Sequence, residues 1–150
     1  MKILVSACLL GMACRYDGQS KVNDAVCALA QAHALVPFCP EIYGGLPTPR
    51  TPAERQGDLV STADGRDVTE HYRRGAAAAL ELARLLDCDC AILKERSPSC
   101  GSGKIYDGTF SGTVVPGDGV TAELFRAAGI PVYGESELDR LLWRRGREEV

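Results

Sequence analysis

Cysteine is the most chemically capable side chain in this sequence, and three of its seven copies stand where chemistry would need them. Cys8 lies in "VSACLLGMAC", Cys39 in "VPFCPEIYGG" and Cys100 in "ERSPSCGSGKIYDG", each on the far side of an apolar run. A thiolate on such a loop is a nucleophile or a soft metal ligand. Cys14 is near enough in sequence to join Cys8. Cys27, Cys88 and Cys90 fall inside or beside periodic apolar segments and read as small buried hydrophobes. A closed structural zinc site takes four ligands, usually from C-x-x-C pairs. No such pair is present, and Cys88-Asp89-Cys90 is too tight to replace one. Three thiolates without a fourth would leave a coordination position open, which suits a catalytic zinc or iron–sulfur centre better than a structural one.

Two other motifs invite chemistry and fail on inspection. "GSGK" at 101–104 imitates a phosphate-binding loop, but that loop needs an earlier glycine, a hydroxyl residue after the lysine and a helix to follow. Here Ile105 follows the lysine and "YDGTFSG" is not helical. A cysteine nucleophile would want a histidine partner. The two histidines, His33 and His71, sit in helical patterns and read as ordinary helix residues.

The surrounding elements must bring the three cysteines together if they act jointly. "KILVSA" (2–7), "LVPF" (35–38), "CAIL" (90–93) and "IPVYG" (130–134) are apolar runs of strand length. Helical spacing marks 23–34, where Asn23 or Asp24 can cap. It also marks a long helix from Thr69 with Tyr72, Ala76, Ala79, Leu80, Ala83 and Leu86 on one face, and a helix over 120–128 ended by Gly129. A last helix opens at Ser136 and Asp139 in a pattern close to a capping box, with Leu138, Leu141 and Leu142 as its apolar face and Trp143 packed near its end. Residues 57–69 suggest a hairpin turning at Ala63-Asp64-Gly65, while 39–54 and 95–119 read as long Pro- and Gly-rich loops.

Strands alternating with helices imply right-handed crossovers and one α/β, Rossmann-like domain over 1–150, its mostly parallel sheet flanked by helices. The carboxyl ends of parallel strands share one edge, where ligands bind. Cys8, Cys39 and Cys100 follow three such strands, so the topology predicts convergence that their spacing alone does not.

At 150 residues the chain is long enough for a core without disulfide staples. A net charge of −3 and a pI near 5.4 give no electrostatic footprint for nucleic acid or an anionic membrane. Arg144, Arg145 and Arg147 stand beside Glu148 and Glu149 and read as a solvated helix end. "VSAC" imitates a lipoprotein cleavage site, but only Ile3 to Val5 precede it as an apolar core. A buried first strand and a cytoplasmic location are expected.

"SACLLGMACRYDG", "CPEIYGGLPTPRTPAE", "LKERSPSCGSGKIYDGTFSG" and "GVTAELFRAAGIPVYGESEL" together resemble the thiouracil desulfidase family over nearly the whole chain. The resemblance is to its short form, without the C-terminal helical domain some members carry. It implies a [4Fe-4S] cluster held by Cys8, Cys39 and Cys100, with one iron free to take the sulfur of a thiolated base. The implied reaction is non-redox: 2-thiouracil or 4-thiouracil gives uracil and sulfide. A cluster- or metal-binding carrier or sensor would share the ligands and lack turnover.

Exchanging C=S for C=O needs a Lewis acid for sulfur and a base for the incoming water. Glu41, two residues after Cys39, is the first candidate for that base, with a loop cap or a pairing with Arg50 as its plain alternative. Asp17 in "CRYDG" is a second acid–base candidate and also looks like turn chemistry. Ser97 and Ser99 could donate to cluster sulfides or to the base, or cap their own loop.

Overall fold

The computed structural model describes residues 1–148. Its centre is a four-stranded parallel sheet of β1 (Lys2–Ser6), β2 (Ala34–Phe38), β5 (Cys90–Leu93) and β8 (Val132–Gly134), in the order β2-β1-β5-β8. The register sets Ser6 beside Phe38, Val5 beside Ile92 and Leu93 beside Gly134, so all four strands end along one edge.

Both faces of the sheet are apolar because both are covered. Ile3, Val5, Cys90, Ile92 and Tyr133 face one side, where Val26 of α1 (Asp24–Ala28) and Leu141 of α5 (Leu138–Glu148) close over them. Leu4, Ala91, Leu93 and Val132 face the other, against α3 (Thr69–Leu85) and α4 (Val120–Ala127). The small residues Ala76, Ala79 and Ala83 on α3 let that helix lie close to the sheet. This is the expected helix–sheet–helix architecture.

Several local expectations are corrected. The first helix stops at Ala28 and continues only as a 3-10 turn, Leu29–Gln31, so His33 lies beyond it with its Nδ1 3.0 Å from the Met1 amine. The expected return around 63–65 is present, with Ser61 bridged antiparallel to Asp67, and β4 (Leu59–Thr62) also pairs with β3 (Ala53–Gln56) in a second, unexpected hairpin that turns at Gly57-Asp58. The stretch read as an irregular loop after Gly101 holds another hairpin, β6 (Lys104–Tyr106) with β7 (Val114–Pro116). That placement removes the phosphate-loop reading, since Lys104 opens a strand and no helix follows. Ser136 forms no capping box: its hydroxyl donates to Glu95. Leu142 and Trp143 are exposed, and the Arg147 guanidinium lies 3.5 Å from the Trp143 ring centre. Glu149 lies outside the described residues. No helix among the described residues is long and apolar enough to cross a membrane.

Candidate active site

The strand order reverses direction between β1 and β5, and open α/β sheets bind ligands at the carboxyl end of such a switch point. A cavity of about 630 Å³ lies there. Cys8 enters it from a 3-10 turn, Ala7–Leu10, directly after β1. Cys39 enters as the residue capping the one-turn helix α2 (Pro40–Tyr43) directly after β2, and Cys100 enters from the loop after β5. The three cysteines, far apart in sequence, thus share one cavity wall, as the topology required.

Cys14 completes a set of four. It is buried, it lines the same cavity beside Cys8 and Cys39, and its carbonyl oxygen accepts from Cys39 Sγ at 3.9 Å. The contact with Cys14 and burial push the Cys39 thiol far up; burial alone dominates at Cys100 and pushes it up to about 12, against the opposing pull of the Ser6 hydroxyl. Cys14 is also shifted up: its contact with Cys39 works downward, and Cys8 together with burial outweighs it. As neutral thiols these groups are poor nucleophiles. A bound metal reverses that balance, because it takes thiolates and stabilises them.

Among the described residues no three His, Cys, Asp or Glu side chains are grouped for a single ion. A mononuclear zinc centre therefore finds no ready-made cage. The donor set is nevertheless all sulfur, and the cavity has room for a larger sulfur-ligated group, so the residues fit a cluster.

Glu41 projects into the cavity from α2 and is held at both oxygens. Oε1 accepts from the Tyr72 hydroxyl of α3, and Oε2 accepts from Arg50 Nη2 at 2.5 Å. Burial pushes the Tyr72 hydroxyl far above its ordinary value, with the Glu41 charge adding to it, so Tyr72 stays a donor. Arg50 is 5% exposed and also ties Cys14 O (3.0 Å) and Pro47 O (3.3 Å) to the same point. Its Nε is buried without a partner among the described residues. The pairing with Arg50 expected as an alternative role for Glu41 is thus real, and it fixes a cavity-facing carboxylate.

The seat of α2 is set by glycine. A Cβ on Gly75 of α3 would stand 1.8 Å from Pro40 O, so α2 rests on bare backbone there. Only glycine permits that approach. Cys39 and Glu41 take their positions from it.

The remaining candidates separate. Ser97 lines the cavity, and its Oγ accepts from the amides of Ser99 (3.1 Å) and Cys100 (3.0 Å). With both lone pairs engaged, its own hydrogen remains to be donated. Ser99 is fully buried behind Cys100, its hydroxyl 2.9 Å from Thr121 Oγ1, and it braces the loop from outside the cavity lining. Asp17 is also outside the lining; its Oδ1 accepts from the Gln19 amide at 3.0 Å and closes a turn. His71 bonds Gly44 O through Nδ1 at 2.8 Å, and neither histidine lines the cavity. Sequence reasoning missed Tyr72 as a site residue, having read it only as a core face, and missed Lys94, which lines the cavity with Nζ 3.1 Å from Glu135 Oε2.

A parallel α/β sheet that gathers four cysteines and a clamped carboxylate at its switch point defines a sulfur-lined ligand site. Residues 3–137 match the family described as 2-thiouracil desulfurase, and the chain belongs to that family. A solved structure described as the [4Fe-4S]-dependent thiouracil desulfidase TudS is 51% identical, with a TM-score of 0.91 and 97% of each chain covered. The uncharacterized protein YbbK of Bacillus subtilis (strain 168) is 46% identical over 150 residues, which is 93% of this chain and 99% of that protein.

Proposed function

We propose that this protein removes sulfur from a thiolated pyrimidine base, converting 2-thiouracil or 4-thiouracil to uracil and sulfide. Cys8, Cys39 and Cys100 hold a [4Fe-4S] cluster in this reading, and the sulfur-lined cavity with Glu41 at its wall is the observation that carries it. The cluster, when bound, supplies a thiophilic Lewis acid with an open position for the sulfur of the C=S bond.

The chain's own groups supply the rest. The ring carbon takes oxygen from water and gives up sulfur as sulfide, with no change of oxidation level. Glu41 accepts the proton of that water; Arg50 and Tyr72 hold its carboxylate in one orientation, so no side-chain search precedes the transfer. Ser97 donates its free hydrogen to the base or to a cluster sulfide. Cys14 stands beside Cys8 and Cys39 in the cavity wall and does not ligate in this reading.

Anaerobic purification, an iron and sulfide assay, and addition of each thiouracil test this. Loss of the thione absorbance with one sulfide released per base is the expected result. A folded protein that takes up no iron on reconstitution sinks the cluster. A loaded protein that releases no sulfide from either base points instead to a carrier or sensor.

A further inference from the structure

Three non-glycine residues among those described have positive φ: Asp87, Arg96 and Phe110. Aspartate tolerates the left-handed region, whereas a bulky aromatic residue there is an outlier. Phe110 has φ 56° and lines the cavity, 39% exposed. Such a conformation costs about 1–3 kcal/mol and persists only where neighbours over-determine it.

The neighbours do so here. Glu54 Oε1 on β3 accepts from the Gly108 amide (3.0 Å) and from the Phe110 amide itself (3.1 Å). Asp107 Oδ1 accepts from the Thr109 amide at 2.9 Å, and the hydroxyls of Thr109, Ser111 and Thr113 run in a hydrogen-bonded row behind the tip. Two acidic side chains and three hydroxyls therefore hold one apolar ring against the backbone's own preference. That ring has no aromatic or cationic partner among the described residues.

We infer that Phe110 is the residue on which the substrate's ring stacks, and that Glu54 is the positioning residue that presents it. This rests on the proposed function for the identity of the ring. A base whose sulfur reaches the group held by Cys8, Cys39 and Cys100 lies in the cavity that Phe110 also lines, and an aromatic side chain there covers its flat face and excludes water. The requirement is for a planar heteroaromatic ring.

The test uses cluster-loaded protein and two probes: thiouracil for turnover, and uracil, which offers the same face without reacting, for binding by equilibrium dialysis. Stacking on an aromatic side chain predicts that Phe110→Ala raises the uracil Kd and the thiouracil KM about tenfold, with kcat within about threefold. Phe110→Trp restores both. Phe110→Gly relieves the positive φ, so its Tm stays at or above wild type while its Kd rises like that of Phe110→Ala; a merely structural role would not separate the two. Glu54→Ala raises KM as well, Glu54→Gln recovers part of it, and Glu54→Ala adds little on top of Phe110→Ala. Sulfide release with equal Kd values in wild type and Phe110→Ala overturns the stacking and leaves the desulfuration standing. Uracil binding that depends on Phe110 without sulfide release does the reverse. Failure of loaded wild type to bind either base overturns both.

Discussion

Cys90 and Cys100 look alike by burial and differ in everything around them. They are 3% and 5% exposed, and burial pushes each thiol up to about 12. Cys90 opens β5 at the amino edge of the sheet and packs with Ile3, Ile92 and Tyr133. Cys100 follows the same strand at the carboxyl edge, within reach of the Ser6 and Ser99 hydroxyls, the Cys39 thiol and the Glu41 charge, and one side of it opens to the cavity. Depth therefore does not distinguish the cysteines proposed to hold the cluster from those packed in the core. Position along a parallel strand does, because one edge gathers loops and polar groups and the other gathers helix packing.

The comparison breaks most sharply on iron. Cys8→Ala, Cys39→Ala and Cys100→Ala should each abolish cluster loading, read as iron content and visible absorption after anaerobic reconstitution. Cys90→Ala should load fully and lose only about 1 kcal/mol of stability from the deleted buried atom. Cys14→Ala should also retain iron. Loss of iron in Cys14→Ala would mean that Cys14 ligates, and the three-ligand assignment would fall.

The next effect concerns the clamped carboxylate. Glu41→Gln should lower kcat about 10²–10⁴-fold while iron content stays at the wild-type level. It also strips the buried Arg50 of its counter-ion, which lowers stability by about 3 kcal/mol. Turnover is therefore compared on protein shown to be folded and loaded; wild-type kcat in Glu41→Gln would remove it as the base.

A smaller effect tests how the cavity edge is built. In an exposed helix Gly→Ala gains about 1 kcal/mol. At Gly75 the new Cβ would meet Pro40 O at 1.8 Å, so the clash decides the sign. Gly75→Ala should lower the stability measured in urea by about 2–3 kcal/mol and impair iron loading through Cys39. The same change at Gly103, whose Cβ would meet nothing within 4 Å, should leave the cavity intact despite its positive φ.

What the sequence reveals follows the same division. The four strands and the long helix are legible because periodic apolar residues report burial directly, and the convergence of Cys8, Cys39 and Cys100 follows from parallel topology. The carboxylate's partners are not legible: Tyr72 lies 31 residues from Glu41 and shows only its apolar ring in the helical pattern. The expected turn at 63–65 exists and returns Asp67 to Ser61, while the second hairpin at Gly57-Asp58 is not legible because Ala53–Gln56 starts in a stretch whose prolines and glycines read as loop. Phe110 could not be found from its loop composition, since its conformation is imposed by Glu54 from another hairpin.

The smallest effect is a pH slope, and it isolates the core cysteine. As pH rises past the ordinary thiol value of about 8.5, the unfolded chain releases the Cys90 proton while the folded chain holds it to about 12. The folded state then binds more protons than the unfolded state, so stability falls with rising pH across that interval and is complete below it. Cys90→Ala removes this share, and the decline of Tm between pH 9 and 11 should become shallower. Cys90 is at the edge opposite the cavity, so the change in slope should be the same with and without bound cluster. A slope change that vanished on loading would tie the two edges together and dissolve the distinction between them.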